Sequence, residues 1–278
     1  MADRERSLRY DCRACCWYVT RGAAEHGTMA RGTTRLKRLD DIDLQPGRKI
    51  GPRYVVERLL GYGYEGEVYQ IREVPTGIRR AAKLYYPHRN PKDRSSIRHA
   101  QKLNSLRHCP IVLQFHHFEQ ITIKKQRVGC LISELCSGMP LEHWIKQHTG
   151  KRIRPFRALM VLYHLARGIE AIHALREYHA DVHTENILIQ PIGVRFELKL
   201  IDFYDWGRMT RYKQQMDILD TVRVFYDCLG GAKHYSAQPP EVRYICAGLK
   251  RGLILSRFPT MSALRQHLEQ FEWRSTLA

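Results

Sequence analysis

From Tyr54 the chain reads YVVERLLGYGYEGEVYQIREVPTGIRRAAKLYY: three short runs rich in Val, Tyr, Ile and Leu, separated by a glycine-rich turn and a Pro-Thr-Gly turn. That alternation is the signature of an antiparallel meander. Residues 95–106 are helical in pattern, with Ile97, Ala100, Leu103 and Leu106 on one face, and residues 111–134 hold two more strands joined by KKQR. After Leu141 the period changes. Residues 157–175 place Leu159, Leu162, Leu165, Ala166, Ile169 and Ile172 on one stripe, the mark of a core helix. Residues 217–229 give a second such helix, and 242–249 and 261–271 two shorter ones. A strand-rich half, a linker near 134–138 and a helical half predict a bilobal α+β architecture, with lobes at 51–135 and 136–278. Residues 33–52, charged and punctuated by PG and GP, read as a linker or edge segment, and residues 1–50 as an N-terminal extension.

Composition narrows the class. With 44% hydrophobic and 27% charged residues the chain is of ordinary globular type. No apolar run approaches the roughly twenty residues of a membrane-spanning helix. The opening MADRERSLRYDCRACCWY carries charges where a signal peptide needs an apolar core, so a cytoplasmic location is expected. Met29 offers an alternative start, which would make the residues before it an extension without fold. Lys and Arg number 46 against 28 Asp and Glu, a formal charge of +18 that raises the local concentration of anions, from nucleotides to RNA. No arginine-rich tail or nucleic-acid module accompanies that charge, and solvated basic faces are the plainer reading. The eight cysteines are expected as reduced thiols; Cys12 and Cys15 have the spacing of half a zinc site, but no second pair follows.

The chemistry is concentrated in three places. GYGYEGEV contains Gly61, Gly63, Gly66 and Val68. A bare G-x-G-x-x-G also suggests a dinucleotide fold. Here it lies between two strands, and Lys83 follows on the next one. A glycine hairpin of that kind lets backbone N–H groups approach phosphates while a lysine reaches the α and β phosphates. YHADVHTENILI then sets Asp181 and Asn186 five positions apart, an Asp to orient or deprotonate an acceptor hydroxyl and an Asn to hold a divalent ion. KLIDFYDWG looks like a buried strand delivering Asp202 to a metal. Two hard oxygen ligands and a triphosphate suit magnesium.

In order and spacing these elements resemble the protein kinases, over residues 54–271. The resemblance implies ATP and magnesium as cofactors, with Asp181, Lys83 and His183 at the transfer step. It implies nucleotide contacts from Gly61, Gly63, Gly66, Val68, Lys83, Glu134 and Cys136, and a metal held by Asn186 and Asp202. Residues 133–136 resemble the hinge between lobes, and Asp217 the aspartate that braces the catalytic loop. The departures are informative. Ala180 stands where an arginine usually reads activation-loop phosphorylation, so that control is not expected. His183 replaces a lysine, and HADVHTEN is similar to the loop of aminoglycoside and choline phosphotransferases, as is IDFYDWG with Tyr204 and Asp205. Asp202 and Asp217 are only 15 positions apart, so the activation segment is short and lacks Ala-Pro-Glu. His99 falls where a helix glutamate normally pairs with the strand lysine. Either His99 is neutral, or Glu65 or Glu67 takes over the pairing. The extent of the resemblance favours a serine/threonine protein acceptor. The short segment and the histidine loop favour an anionic small molecule or RNA, and a nucleotide-binding scaffold without turnover is the third reading.

Overall fold

The computed structural model describes residues 39–203 and 207–272; the Cys12 and Cys15 pair, Met29, Tyr204 and Asp205 lie outside them. The strand-type runs form β1 (Lys49–Ile50), β2 (Tyr54–Tyr62), β3 (Gly66–Glu73) and β4 (Arg79–Tyr85), followed by helix α1 (Arg94–Ser105), β5 (Phe115–Ile123) and β6 (Gln126–Glu134). All pair antiparallel in the order β1-β2-β3-β4-β6-β5. Strand β4 is therefore interior, with Lys83 opposite Val68 on one side and Leu131 on the other. Side chains alternate across a strand. Ala82 and Leu84 enter the core on the outer face of the sheet, whereas Tyr85 joins the core that continues into the helical lobe. Lys83 shares the Tyr85 face. Gly66 is fixed by a close approach: a Cβ there would lie 1.9 Å from the Leu84 carbonyl oxygen.

The second lobe comprises β7 (Met139–Pro140), α2 (Leu141–Lys146), α3 (Pro155–Ala174), β8 (Ile187–Ile192), β9 (Arg195–Leu200), α4 (Arg211–Cys228), α5 (Ala232–Tyr235), α6 (Pro240–Cys246), α7 (Arg251–Arg257) and α8 (Met261–Glu269). The predicted stripe of α3, from Leu159 to Ile172, is buried throughout, and the helix packs on α4 and α8. Helix α4 begins six residues before Asp217, where Thr210 Oγ1 accepts from Lys213 N at 3.3 Å and caps it. The bilobal α+β architecture is the one expected from the sequence.

Two expectations need correction. Ile97 is 41% exposed, while Ala100, Leu103 and Leu106 of the expected face are buried along with Ser96 and Lys102. At the helix's other edge the Lys102 ammonium reaches the second lobe, 3.9 Å from the Tyr178 ring. Residues 39–50 are not an extension. Leu39, Ile42 and Ile50 enter the outer core of the sheet, and the backbone N–H groups of Ile42 and Asp43 donate to the buried Glu67 carboxylate at 2.8 and 3.1 Å. Their apolar side chains are scattered among aspartates and turn residues, which gave the segment the composition of a linker. Ile42→Ala, which empties a fully buried site, is expected to cost about 2–4 kcal/mol in a urea titration; an unchanged midpoint would put these residues outside the cooperative unit.

Candidate active site

The site begins with the position of Lys83 in the middle of the sheet. Its side chain is 8% exposed, and its Nζ donates to Glu65 Oε2 at 2.7 Å and Asp202 Oδ1 at 2.8 Å. Glu65 lies in the turn between β2 and β3. The Tyr86 N–H donates to the Glu65 carbonyl at 2.8 Å, and Gly63 N–H to the Gly66 carbonyl at 2.8 Å, so the turn is laid onto the end of β4. Burial opposes charge on Lys83, but Asp202 and Glu65 together outweigh it and raise its pKa well above the ordinary lysine value. The nearby ammonium lowers the Glu65 carboxyl in turn. Burial pushes Asp202 up to about 6, against the pull of Lys83.

The sequence left open a neutral His99 and, as the acid paired with Lys83, Glu65 or Glu67, and the structure separates them. Glu67 is committed elsewhere: it accepts from Ile42 N, Asp43 N, Tyr69 Oη and Tyr86 Oη. His99 is neutral, its pKa lowered to about 3 by burial and by Lys83, and its Nδ1 lies 2.7 Å from Tyr85 Oη. Its Nε2 is buried without a partner. Glu65 holds the lysine.

The second lobe supplies the loop after α3. Asp217 on α4 is fully buried and accepts from His179 N at 2.9 Å and Ala180 N at 2.8 Å, while His173 Nε2 lies 2.9 Å away. His179 is buried too. Its Nδ1 accepts from Asp181 N at 3.3 Å, so Nε2–H donates to the Ile201 carbonyl at 3.0 Å. Burial lowers its pKa to about 4, and it serves as a neutral strut between the loop and the segment bearing Asp202. Both segments hold a residue at positive φ, Ala180 at 66° and Asp202 at 57°. For residues with a Cβ each costs on the order of 1–3 kcal/mol and persists only where the surroundings impose it. The Asp217 bonds and the Ile201 N–H to Asn186 carbonyl bond of 3.0 Å are those surroundings.

Asn186 has no exposed surface. Its Nδ2 donates to the Asp181 carbonyl and to Asp181 Oδ2, both at 3.0 Å, which leaves Oδ1 buried without a partner. An orphaned acceptor of this kind is expensive unless a donor or cation meets it. A hard divalent cation fits: Asn186 Oδ1 and the Asp202 carboxylate are the oxygen donors it takes. His183 lies between two acids, its Nε2 3.6 Å from Asp181 Oδ2 and its Nδ1 3.9 Å from Glu185 Oε2. Burial opposes its charge, but Asp181 and then Glu185 lift its pKa above the ordinary histidine value.

Between the lobes lies a cavity of about 300 Å³. Val68, Lys83, Glu134, Cys136 and Asp202 line it, as does His99. Gly61, Gly63 and Gly66 belong to the hairpin that carries Glu65. Glu134 is not free to turn, since its Oε1 accepts from Gln114 N at 2.9 Å and Lys199 Nζ at 2.6 Å. Sequence reading missed Asp220, whose carboxyl is pushed up to about 7 by burial, with Asp217 and Asp181 adding to the rise. Its spacing of three from Asp217 along a helix puts both on one face and was the available signal.

A two-lobed fold with an interlobe cleft, a strand lysine paired with acids, and an Asp and Asn on one loop defines a kinase-type site. Residues 54–241 match the protein kinase domain family, and the chain belongs to that family. It is 25% identical over 155 residues to the serine/threonine-protein kinase Nek11 of Mus musculus, covering 54% of this chain and 24% of that protein. It is 28% identical over 160 residues to the serine/threonine-protein kinase PknA of Mycobacterium tuberculosis, covering 56% and 36%. The chain thus spans only about a quarter to a third of the length of these curated relatives. The crystal structure of the Mycobacterium tuberculosis PknI kinase domain superimposes with a TM-score of 0.59 at 16% identity, covering 82% of this chain and 98% of that one, a likeness of fold.

The neutral state of His99 has a measurable consequence. The unfolded chain takes up a proton there below pH 6.5, the folded chain only near pH 3, so stability falls as pH drops through that window. His99→Gln, which keeps a neutral group beside Tyr85, is expected to flatten the loss of urea stability between pH 7 and 5, with about one fewer proton taken up on unfolding. An unaltered pH slope would mean that the imidazole is charged in the fold.

Proposed function

We propose that the chain is an ATP- and magnesium-dependent phosphotransferase, a serine/threonine protein kinase that moves the γ-phosphate of ATP to an acceptor hydroxyl. The observation that carries this reading is the orphaned Asn186 Oδ1 on the same loop as Asp181 and joined through Ile201 to the segment of Asp202. Asn186 and Asp202 would hold magnesium, which when bound neutralises phosphate charge. Lys83 fixes the phosphates by its ammonium, and backbone N–H groups of the Gly61, Gly63 and Gly66 hairpin approach them. Glu134 and Cys136 border the base. Asp181, its Oδ2 fixed by Asn186, accepts the proton of the acceptor hydroxyl and aligns that oxygen with the phosphorus. His183, held beside Asp181, steadies developing negative charge. Positioning and charge neutralisation of this kind carry most of the catalysis in phosphoryl transfer.

One observation favours a second reading. Only seven residues separate Phe203 from the start of α4 at Arg211, which leaves little chain to build a platform for an extended peptide. An anionic small molecule or RNA suits so short a segment, and the formal charge of +18 supports an acidic partner of either kind. Among the described residues no helix is long and apolar enough to cross a membrane, and a cytoplasmic location is part of the proposal.

The test is incubation with γ-labelled ATP and magnesium in a cell extract fractionated into protein, small molecules and RNA. Asp181→Ala and Asp202→Ala are each expected to lower transfer by more than about a hundredfold. Label in the protein fraction supports a protein acceptor, and label confined to the others supports the second reading. A folded protein that binds ATP yet labels nothing would reduce the site to a scaffold.

A further inference from the structure

Building on the phosphotransfer reading, we infer that Glu65 is the positioning residue for Lys83, so that the lysine is governed by the glycine hairpin and not by helix α1. In kinases a lysine on this strand is paired with a glutamate of the following helix, and movement of that helix is the usual means of control. Here the helix presents His99, a neutral ring bonded to Tyr85 Oη, with no acid to offer. A charged anchor of α1 runs the other way. Lys102 reaches the second lobe, 3.7 Å from Glu177 and over the rings of Tyr178 and Phe203.

The carboxylate that α1 lacks comes from the hairpin, and the sheet itself sets its place. Glu65 carbonyl is bonded to Tyr86 N–H, its neighbour Gly66 is seated against the Leu84 carbonyl, and Val68 pairs with Lys83. The hairpin tip and the lysine are thus held in register by adjacent strands. Asp202 shares the ammonium, but it is also a proposed ligand for a divalent cation. A buried lysine stripped of its acids would carry an uncompensated charge. Glu65 keeps Lys83 aimed when the Asp202 carboxylate turns to the metal, and hairpin closure and lysine alignment become one event.

The test compares Glu65→Ala, Glu65→Asp and the double variant Glu65→Ala with His99→Glu, which returns the acid to the helix. Glu65 is 40% exposed, so its removal leaves no core cavity. Binding of a fluorescent ATP analogue with magnesium is read by titration, and γ-phosphate transfer by label. Loss of one charge-assisted contact predicts at least about tenfold weaker nucleotide binding for Glu65→Ala, with a matching fall in transfer. Partial recovery is expected for Glu65→Asp and recovery of most of the affinity for the double variant, which a merely structural role for Glu65 would not give. Tighter binding by Glu65→Ala would overturn the inference, since the carboxylate would then be a competitor of the phosphates; unchanged binding, or no recovery with His99→Glu, would overturn it too. The binding arm stands even if the wild type transfers no label, an outcome that sinks phosphotransfer and leaves the Glu65 claim to be judged by affinity.

Discussion

Everything in the cleft depends on one ammonium group held out of water. Lys83 occupies an interior strand, almost fully buried, and stays charged because two carboxylates reach it from different parts of the chain. One comes from the hairpin two strands' length upstream, the other from the segment after β9 in the second lobe. The ion pair therefore does more than satisfy a buried charge. It ties the sheet of one lobe to the Asp202 segment of the other, across the cavity between them. Desolvation makes such a cluster costly if any member is missing, and that cost keeps its geometry narrow.

The second lobe answers with strain held in place by hydrogen bonds. Ala180 and Asp202 both have left-handed backbones, a conformation that favours glycine, and neither is glycine. Asp217 clamps the first by accepting two consecutive N–H groups, and His179 joins the two segments through the Ile201 carbonyl. The result is a fixed pair of oxygen donors, Asn186 Oδ1 and the Asp202 carboxylate, on elements that packing against α4 keeps from relaxing. Control exerted through the hairpin is the complement of that rigidity.

Much of this was legible in the sequence, for physical reasons that differ from residue to residue. The two lobes showed through because a period-2 half and a period-3.6 half bury different faces, and a stripe like that of α3 admits only one reading. The structure brings Lys83 to Asp202 and Asn186 to Asp181, residues that stood out in the sequence as short polar motifs next to strands and turns. The pairing of Lys83 was legible only as a set of alternatives. Choosing Glu65 over Glu67 requires the knowledge that Ile42 and Asp43 fold back onto Glu67, a contact about 25 positions distant that no local pattern announces. The same long-range contact explains why that segment resembled a linker. Ile97 misled for a related reason: an amphipathic face is set by what packs on it, and at the start of α1 Ile97 is left exposed while Ala100, Leu103 and Leu106 of the same face are buried.

The most direct measurement is a crystal structure with a non-hydrolysable ATP analogue and magnesium. The account predicts that Lys83 Nζ remains within hydrogen-bond distance of Glu65 while also contacting phosphate, and that Asn186 Oδ1 and the Asp202 carboxylate share the cation. A hairpin lifted away with Glu65 in solvent, or a cation held without Asn186, would contradict it.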